Sequence, residues 1–347
     1  MFGNALETLR SVRRDLAGAT VHWSGIGRVF ERMAHPSGAI MLMYHSVATD
    51  EDALFIDPPN RIAPVLFDRQ MAFLRRHRRV VSYSQLVDCI AAGDTPPAGT
   101  VCITFDDGYR DNLTVAAPIL ARHGLPATLF VATGYVYRQQ MQWADALHSH
   151  FRLRCAHRLV LPRIGLESVD LSSGTAERQR ARTALHRHLL AATLDEREAV
   201  LEQVAQQLQP HGERPRITLS WDDVRELRGR YPTFELGGHT RDHIDLRSHT
   251  GQLAAEEITG CARDLERETG ETARDFSFPY GRWCPLTQGL VREAGWRSAV
   301  GAGTAVRIGA TSDRFALPRV NAPSSMTALR FKTSGAYPGA LGALGVG

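Results

Sequence analysis

Apolar residues in this chain come in short, bounded runs that alternate with stretches of helical spacing. Ala39-Ile40-Met41-Leu42-Met43-Tyr44 reads as a buried strand that delivers His45-Ser46-Val47 at its end. Residues 48–64, with Pro58, Pro59 and Pro64, read as a loop. Helical spacing from Phe67 to Arg76 leads to a strand at Val80-Val81-Ser82 and a helix from Ser84 to Ala92. The run Val101-Cys102-Ile103-Thr104-Phe105, bounded by Gly99, passes straight into Asp106-Asp107-Gly108. A helix is expected from Asn112 to His123, then a strand from Pro126 to Val131. Strand, helix, strand with short connections marks a parallel sheet or barrel.

Residues 137–215 break this rhythm. They are rich in Arg, His and Gln, and from Gly174 to Gln209 they look helical and amphipathic, so they read as a helical subdomain inserted in the main fold. His186 and His188 fall here, two apart and therefore not on one helix face, and read as solvated. Beyond the insertion, Ser220 and Asp223 approximate a capping box for a helix from Trp221 to Arg230. Phe234-Glu235-Leu236-Gly237-Gly238 is a strand running into a glycine turn, and a helix follows from Leu253 to Thr269. A strand at Phe276-Ser277-Phe278, a helix from Leu286 to Ala294, and strands at Ser298–Val300 and Phe315–Val320 complete the pattern. The expected organisation is a lead-in over 1–37, one α/β domain over 38–325, and a flexible tail over 326–347.

Composition narrows the class only a little. A hydrophobic content of 43% and a charged content of 22% are ordinary for a soluble globular protein. A formal charge of +4 gives no case for nucleic acid as a partner. Lys332 is the one lysine among the 41 basic residues, a skew better assigned to genomic composition than to recognition. The five cysteines are widely spaced and contain no Cys-x-x-Cys pair, which argues against a disulfide framework or a structural zinc site. No apolar run is long enough for a transmembrane segment, and the basic N-terminus lacks a signal-peptide core. The expected location is therefore cytoplasmic, with peripheral contact at the inner membrane face as the alternative, and the oligomeric state is left open.

The chemistry gathers at the ends of the strands. Asp106 and Asp107 end a buried strand, and neighbouring strand residues point to opposite sides, so the two carboxylates can take different partners. His239 and His243 are four apart, on one helical turn or a tight loop, and both imidazoles can reach one ion. Asp107 as a third ligand would complete an open two-histidine, one-carboxylate set of the catalytic kind.

These stretches resemble the polysaccharide deacetylase (NodB-homology, carbohydrate esterase 4) family. Thr104-Phe105-Asp106-Asp107-Gly108 matches its first motif, His239-Thr240-Arg241-Asp242-His243 its second, and Pro279-Tyr280-Gly281 the end of its third. The resemblance covers about residues 38–135 and 218–325. It implies a distorted (β/α) barrel and a metal-dependent hydrolase that removes N-acetyl groups from an amino sugar of a glycan or glycolipid precursor. It further implies that Asp107, His239 and His243 hold a divalent metal, zinc ahead of cobalt or nickel, and that Asp106 deprotonates the attacking water. The backbone N–H of Tyr280 would help stabilise the oxyanion. Two departures stand out: Ser277 replaces the family's base-orienting arginine, and the C-terminal Leu-x-His element is absent, His249 being the last histidine. Arg319 or Arg282 is expected to supply the guanidinium. His45 is expected to supply the acid, because Met43-Tyr44-His45-Ser46-Val47 resembles the start of the circularly permuted subgroup. Tyr109, Trp143 and Trp283 are candidates for a sugar site. The alternatives are a hydrolase of a non-carbohydrate amide or sugar O-acetyl ester, or a non-catalytic glycan-binding member.

Overall fold

The computed structural model describes residues 37–301, 307–334 and 337, so the expected lead-in and the glycine-rich end of the tail lie outside the described residues. The first apolar run is strand β1 (Ala39–Tyr44). Helix α1 (Pro64–His77) starts with proline at its first turn, where the missing N–H costs nothing. Strand β2 (Arg79–Val81) and helix α2 (Tyr83–Ala91) follow, the helix begun by a capping box between Ser82 and Gln85. Strand β3 (Thr100–Asp107) is buried at every position and pairs in parallel with β1 along its length, Ala39 with Thr100 through Tyr44 with Phe105. The expected helix after it begins as a π-helical turn, Asn112–Ala116, before α3 (Ala117–His123). Such turns are frequent at functional sites. Here the turn carries Asn112, whose Nδ2 donates to the carbonyl of His45 (2.8 Å).

After β4 (Ala127–Val131) and α4 (Thr133–Arg138) the chain runs through the insertion: α5 (Trp143–Arg152), a hairpin of β5 (Arg158–Leu161) and β6 (Leu166–Asp170), then α6 (Thr175–Ala191) and α7 (Leu194–Leu208). The hairpin adds two strands to a subdomain whose sequence reads as helical from Gly174 to Gln209. Leu159 and Leu161 face Val169 and Leu166 across a turn ending at Gly165, whose φ of 76° suits glycine. The insertion has its own core, built around Leu147, Phe151, Leu185, Leu189 and Val204. The main fold resumes with α8 (Trp221–Arg230), capped by Ser220 and Asp223 as the spacing predicts, and β7 (Phe234–Gly238). Helix α9 (Gln252–Thr269), β8 (Asp275–Ser277), α10 (Pro285–Glu293) and β9 (Ser298–Gly301) complete the βα units.

The sheet is parallel and nearly closed. Its strands run β9, β8, β7, β4, β3, β1 in space. The short segments β10 (Leu317–Pro318) and β11 (Val320–Asn321) lie at its two ends: β10 pairs with β9, and β11 with β1. One five-residue stretch thus links the two edges, with Arg319 at the joint. Side chains from five strands (Met41, Cys102, Phe130, Val300 and Leu317) meet in the interior, with α2 beneath them. The opposite faces, Leu42, Ile103 and Phe105 among them, pack outward under helices such as α1, which contributes Phe67 and Met71.

The tail also needs correcting. Met326–Lys332 forms helix α11, capped by Ser325 and held by buried Leu329 and Phe331. Its cap and apolar spacing precede the glycine-rich stretch that governs the composition. No helix among the described residues is long and apolar enough to cross a membrane.

Candidate metal centre and its supports

Asp106 sits on the face of β3 that looks into the barrel, with a side chain 3% exposed. Arg319, 2% exposed, grips it with both terminal nitrogens, each 2.6 Å from a carboxylate oxygen. Such bidentate pairs are strong and directional. Arg319 also donates to Ser277 Oγ (2.7 Å), so a small residue at 277 leaves the space that the guanidinium fills from the closing segment. Burial works against the ionised form of Asp106, but the charge and hydrogen bonds of Arg319 outweigh it and hold the carboxyl below its ordinary value.

Asp107 escapes the strand's alternation because its backbone turns left-handed, at φ 77°, ahead of Gly108 at 92°. Its Oδ1 lies 3.5 Å from His239 Nε2 and 3.2 Å from His243 Nε2. One potential ligand atom from each of these three residues falls within 4.8 Å of the others, and all three residues are buried. His239 Nδ1 is 2.8 Å from the Ser277 carbonyl, which assigns the ring proton to Nδ1 and leaves Nε2 a free lone pair. Asp107 Oδ1 is buried without a hydrogen-bond partner. An acceptor so placed, facing two imidazoles, fits a bound cation. Burial disfavours the charge on Asp107, yet the neighbouring imidazoles of His243 and His239 hold its carboxyl well below the usual range.

The ligands come from a loop, not a helix, and the loop is strained: Thr240 and His243 have φ of 60° and 50°. Buried Glu257 on α9 gathers the N–H groups of Arg241 (2.9 Å) and Asp242 (2.8 Å). On the other side, the N–H groups of Thr133 and Gly134 donate to the carbonyls of Thr240 and Arg241. Gly134 admits no larger residue, since a Cβ there would lie 2.3 Å from Asp242 Oδ1. Gly237 and Gly238 are needed for space as well, and not for a turn. They lie within β7, where added Cβ atoms would strike Phe130 and Trp296 at 2.6 and 2.5 Å.

The remaining sequence candidates divide. His45 is half-buried at the end of β1, close enough to lower both Asp106 and Asp107 electrostatically. Asp111 holds the backbone beyond it, accepting from Ser46 Oγ (2.5 Å) and the Val47 N–H (2.9 Å). Tyr280, at φ 58°, stacks edge-on against His243 with ring centroids 4.5 Å apart. Arg282 is not a partner of Asp106; it pairs with Asp245 at 3.1 Å. Tyr109 and Trp143 are each only 2% exposed, so they back the site instead of lining an open sugar surface. Trp143 Nε1 donates to Tyr280 Oη (2.7 Å). Trp283 is half-buried against Phe278, and no ring contact joins it to the histidines.

Tyr109 Oη donates to Asp145 of the insertion (2.6 Å), which also accepts the Asp57 N–H (2.7 Å). Burial pushes the Asp145 carboxyl up to about 8, and the charges of Asp107 and Asp57 add to it. The folded state therefore holds a proton that the unfolded chain releases near about 3.9. This contribution to stability is full below that value and is lost as pH rises toward about 8. Asp145→Asn, neutral throughout, is expected to flatten the fall in melting temperature between pH 5 and pH 8; an unchanged slope would contradict the assignment.

YxkH of Bacillus subtilis (strain 168), named as a candidate polysaccharide deacetylase, is 30% identical over 97 residues, a stretch spanning 28% of this chain and 32% of that relative. The Streptococcus pyogenes deacetylase PplD, solved in complex with acetate, superposes with a TM-score of 0.54 and 15% identity, covering 85% of this chain and 96% of that one. IcaB from Ammonifex degensii gives a TM-score of 0.54 and 17% identity, covering 86% and 98%. These superpositions establish the class of fold, the distorted (β/α) barrel of polysaccharide deacetylases. The family model for polysaccharide deacetylases matches residues 93–299. The chain belongs to the polysaccharide deacetylase family.

Proposed function

We propose that the protein is a metal-dependent hydrolase that removes N-acetyl groups from an amino sugar in a polysaccharide, oligosaccharide or lipid-linked glycan precursor. The observation that carries this reading is Asp106, clamped by Arg319, standing beside the buried Asp107, His239 and His243 group. Family membership supports the substrate class, and the acetate held by the similar PplD structure fits acetyl as the group removed.

Asp107 and the Nε2 atoms of His239 and His243 would hold a divalent cation, zinc ahead of cobalt or nickel. When bound, such an ion acts as a Lewis acid and lowers the pKa of water from 15.7 toward about 7. Asp106 accepts the proton of the attacking water, and Arg319 keeps it ionised and fixes its direction. The backbone N–H of Tyr280 donates to the oxyanion as charge develops. His45 returns a proton to the sugar nitrogen as the carbon–nitrogen bond breaks, a task suited to an imidazole placed beside the leaving group. Acetate and a free amine are the products.

The test is release of acetate and free amine from N-acetylglucosamine oligomers, with O-acetylated sugars and simple amides alongside. Amine should appear from the oligomers, and His45→Ala should lower the rate by about 10²–10⁴-fold without loss of metal. Unchanged release by the variant would return the acid to another group. Release confined to esters or small amides would overturn the substrate class.

A further inference from the structure

Arg197 is the largest fully buried side chain in the described residues, 1% exposed, and no carboxylate there pairs with it. A buried cation without a counter-ion is costly unless something else satisfies it. Three carbonyls answer two of its nitrogens, Nη2 being left without a hydrogen bond. Its Nε donates to Leu189 at the end of α6 (2.8 Å), and its Nη1 reaches the carbonyls of Asp242 (2.9 Å) and His243 (3.3 Å). The guanidinium also lies 5.6 Å from the Trp143 ring, whose Nε1 holds Tyr280 Oη, and Tyr280 Oη donates in turn to the His243 carbonyl (3.3 Å). Two donors, one from the insertion and one braced by it, thus converge on the main chain of His243, a residue held at a φ of 50°.

We propose that Arg197 is a positioning residue for the metal ligand His243, and that the inserted subdomain is a working part of the metal centre through it. The proposal rests on the reading of Asp107, His239 and His243 as a metal site. A left-handed backbone at a non-glycine residue is strained, and here its carbonyl needs fixed donors to keep the imidazole aimed at Asp107. Outer partners of this kind typically change metal affinity by about 10–100-fold when removed.

The test is Arg197→Met in the full chain, read by zinc affinity against a chromophoric chelator and by the visible spectrum of the cobalt-loaded protein. Val169→Ala, a change in the insertion's own core, serves as control. The expected result is a loss of about 10–100-fold in affinity and an altered cobalt spectrum for Arg197→Met, with neither in the control. Wild-type affinity and spectrum in Arg197→Met would overturn the proposal. So would an equal loss in Val169→Ala, which would reduce the effect to general integrity of the insertion. Should Arg197→Met not fold, Arg197→Lys carries the test: one ammonium cannot span three carbonyls, so weakened affinity is expected and unchanged affinity contradicts. Failure of the wild type to take up metal would refute the metal reading itself, and this inference with it. Metal uptake without deacetylation leaves the Arg197 result to stand alone.

Discussion

Asp106→Asn is expected to retain metal and lose turnover by about 10²–10⁴-fold, the usual contribution of a positioned general base. Asparagine matches aspartate in shape and keeps one oxygen for Arg319, so the packing inside the barrel should survive. What disappears is the charge and the ability to take a proton. Arg319 is then left partly uncompensated in a place where it is 2% exposed. A drop in melting temperature should therefore accompany the loss of rate, because breaking a buried pair costs about 3–5 kcal/mol when one partner is removed outright. Steady-state rates, metal content and thermal unfolding of the same preparation check the three parts together. Full activity in the variant would move the base elsewhere, with Asp106 reduced to a structural anchor for the closing segment.

Asp107→Ala should fail in the opposite way, by losing the metal. Its Oδ1 is the acceptor left without a hydrogen bond between two imidazoles; Asp106 Oδ2, 3.7 Å from His239 Nε2, is already held by Arg319. Two histidines alone make a weak site, so the loss of affinity should exceed the roughly 10–100-fold typical of an outer partner. Added zinc should restore little activity. Metal content equal to the wild type after dialysis would show that the ion, if bound, sits elsewhere.

Much of this site could be read from the chain because its key residues are local. Asp106 and Asp107 are neighbours on one strand, and His239 and His243 share one loop, so spacing alone brings each pair together. The barrel was legible for the same reason: its strands and helices carry clear periods, and short βα connections leave few ways to arrange them. Arg319 was a choice between two arginines, since its bond to Asp106 spans 213 positions and depends on the closing segment. Tyr109 and Trp143 were misplaced as sugar-site candidates because a ring's side of the wall is set by packing that a sequence does not display. Tyr109 and Trp143 turned inward to polar partners, Asp145 and Tyr280. The hairpin over 158–170 was hidden by the charged helices after it, though Leu159, Leu161 and Leu166 around Pro162 and Gly165 mark it. Arg197 carried a subtler sign: it lies on the stripe of α7 that runs through Leu201, Val204 and Leu208, where an apolar residue belongs.

The most direct measurement of the central claim is acetate release from N-acetylglucosamine oligomers by protein stripped with a chelator and then titrated with zinc. Release should be absent from the stripped protein and rise with added zinc to a plateau at one ion per chain, with Asp107→Ala flat throughout. Acetate release that persists unchanged in the stripped protein would contradict the account.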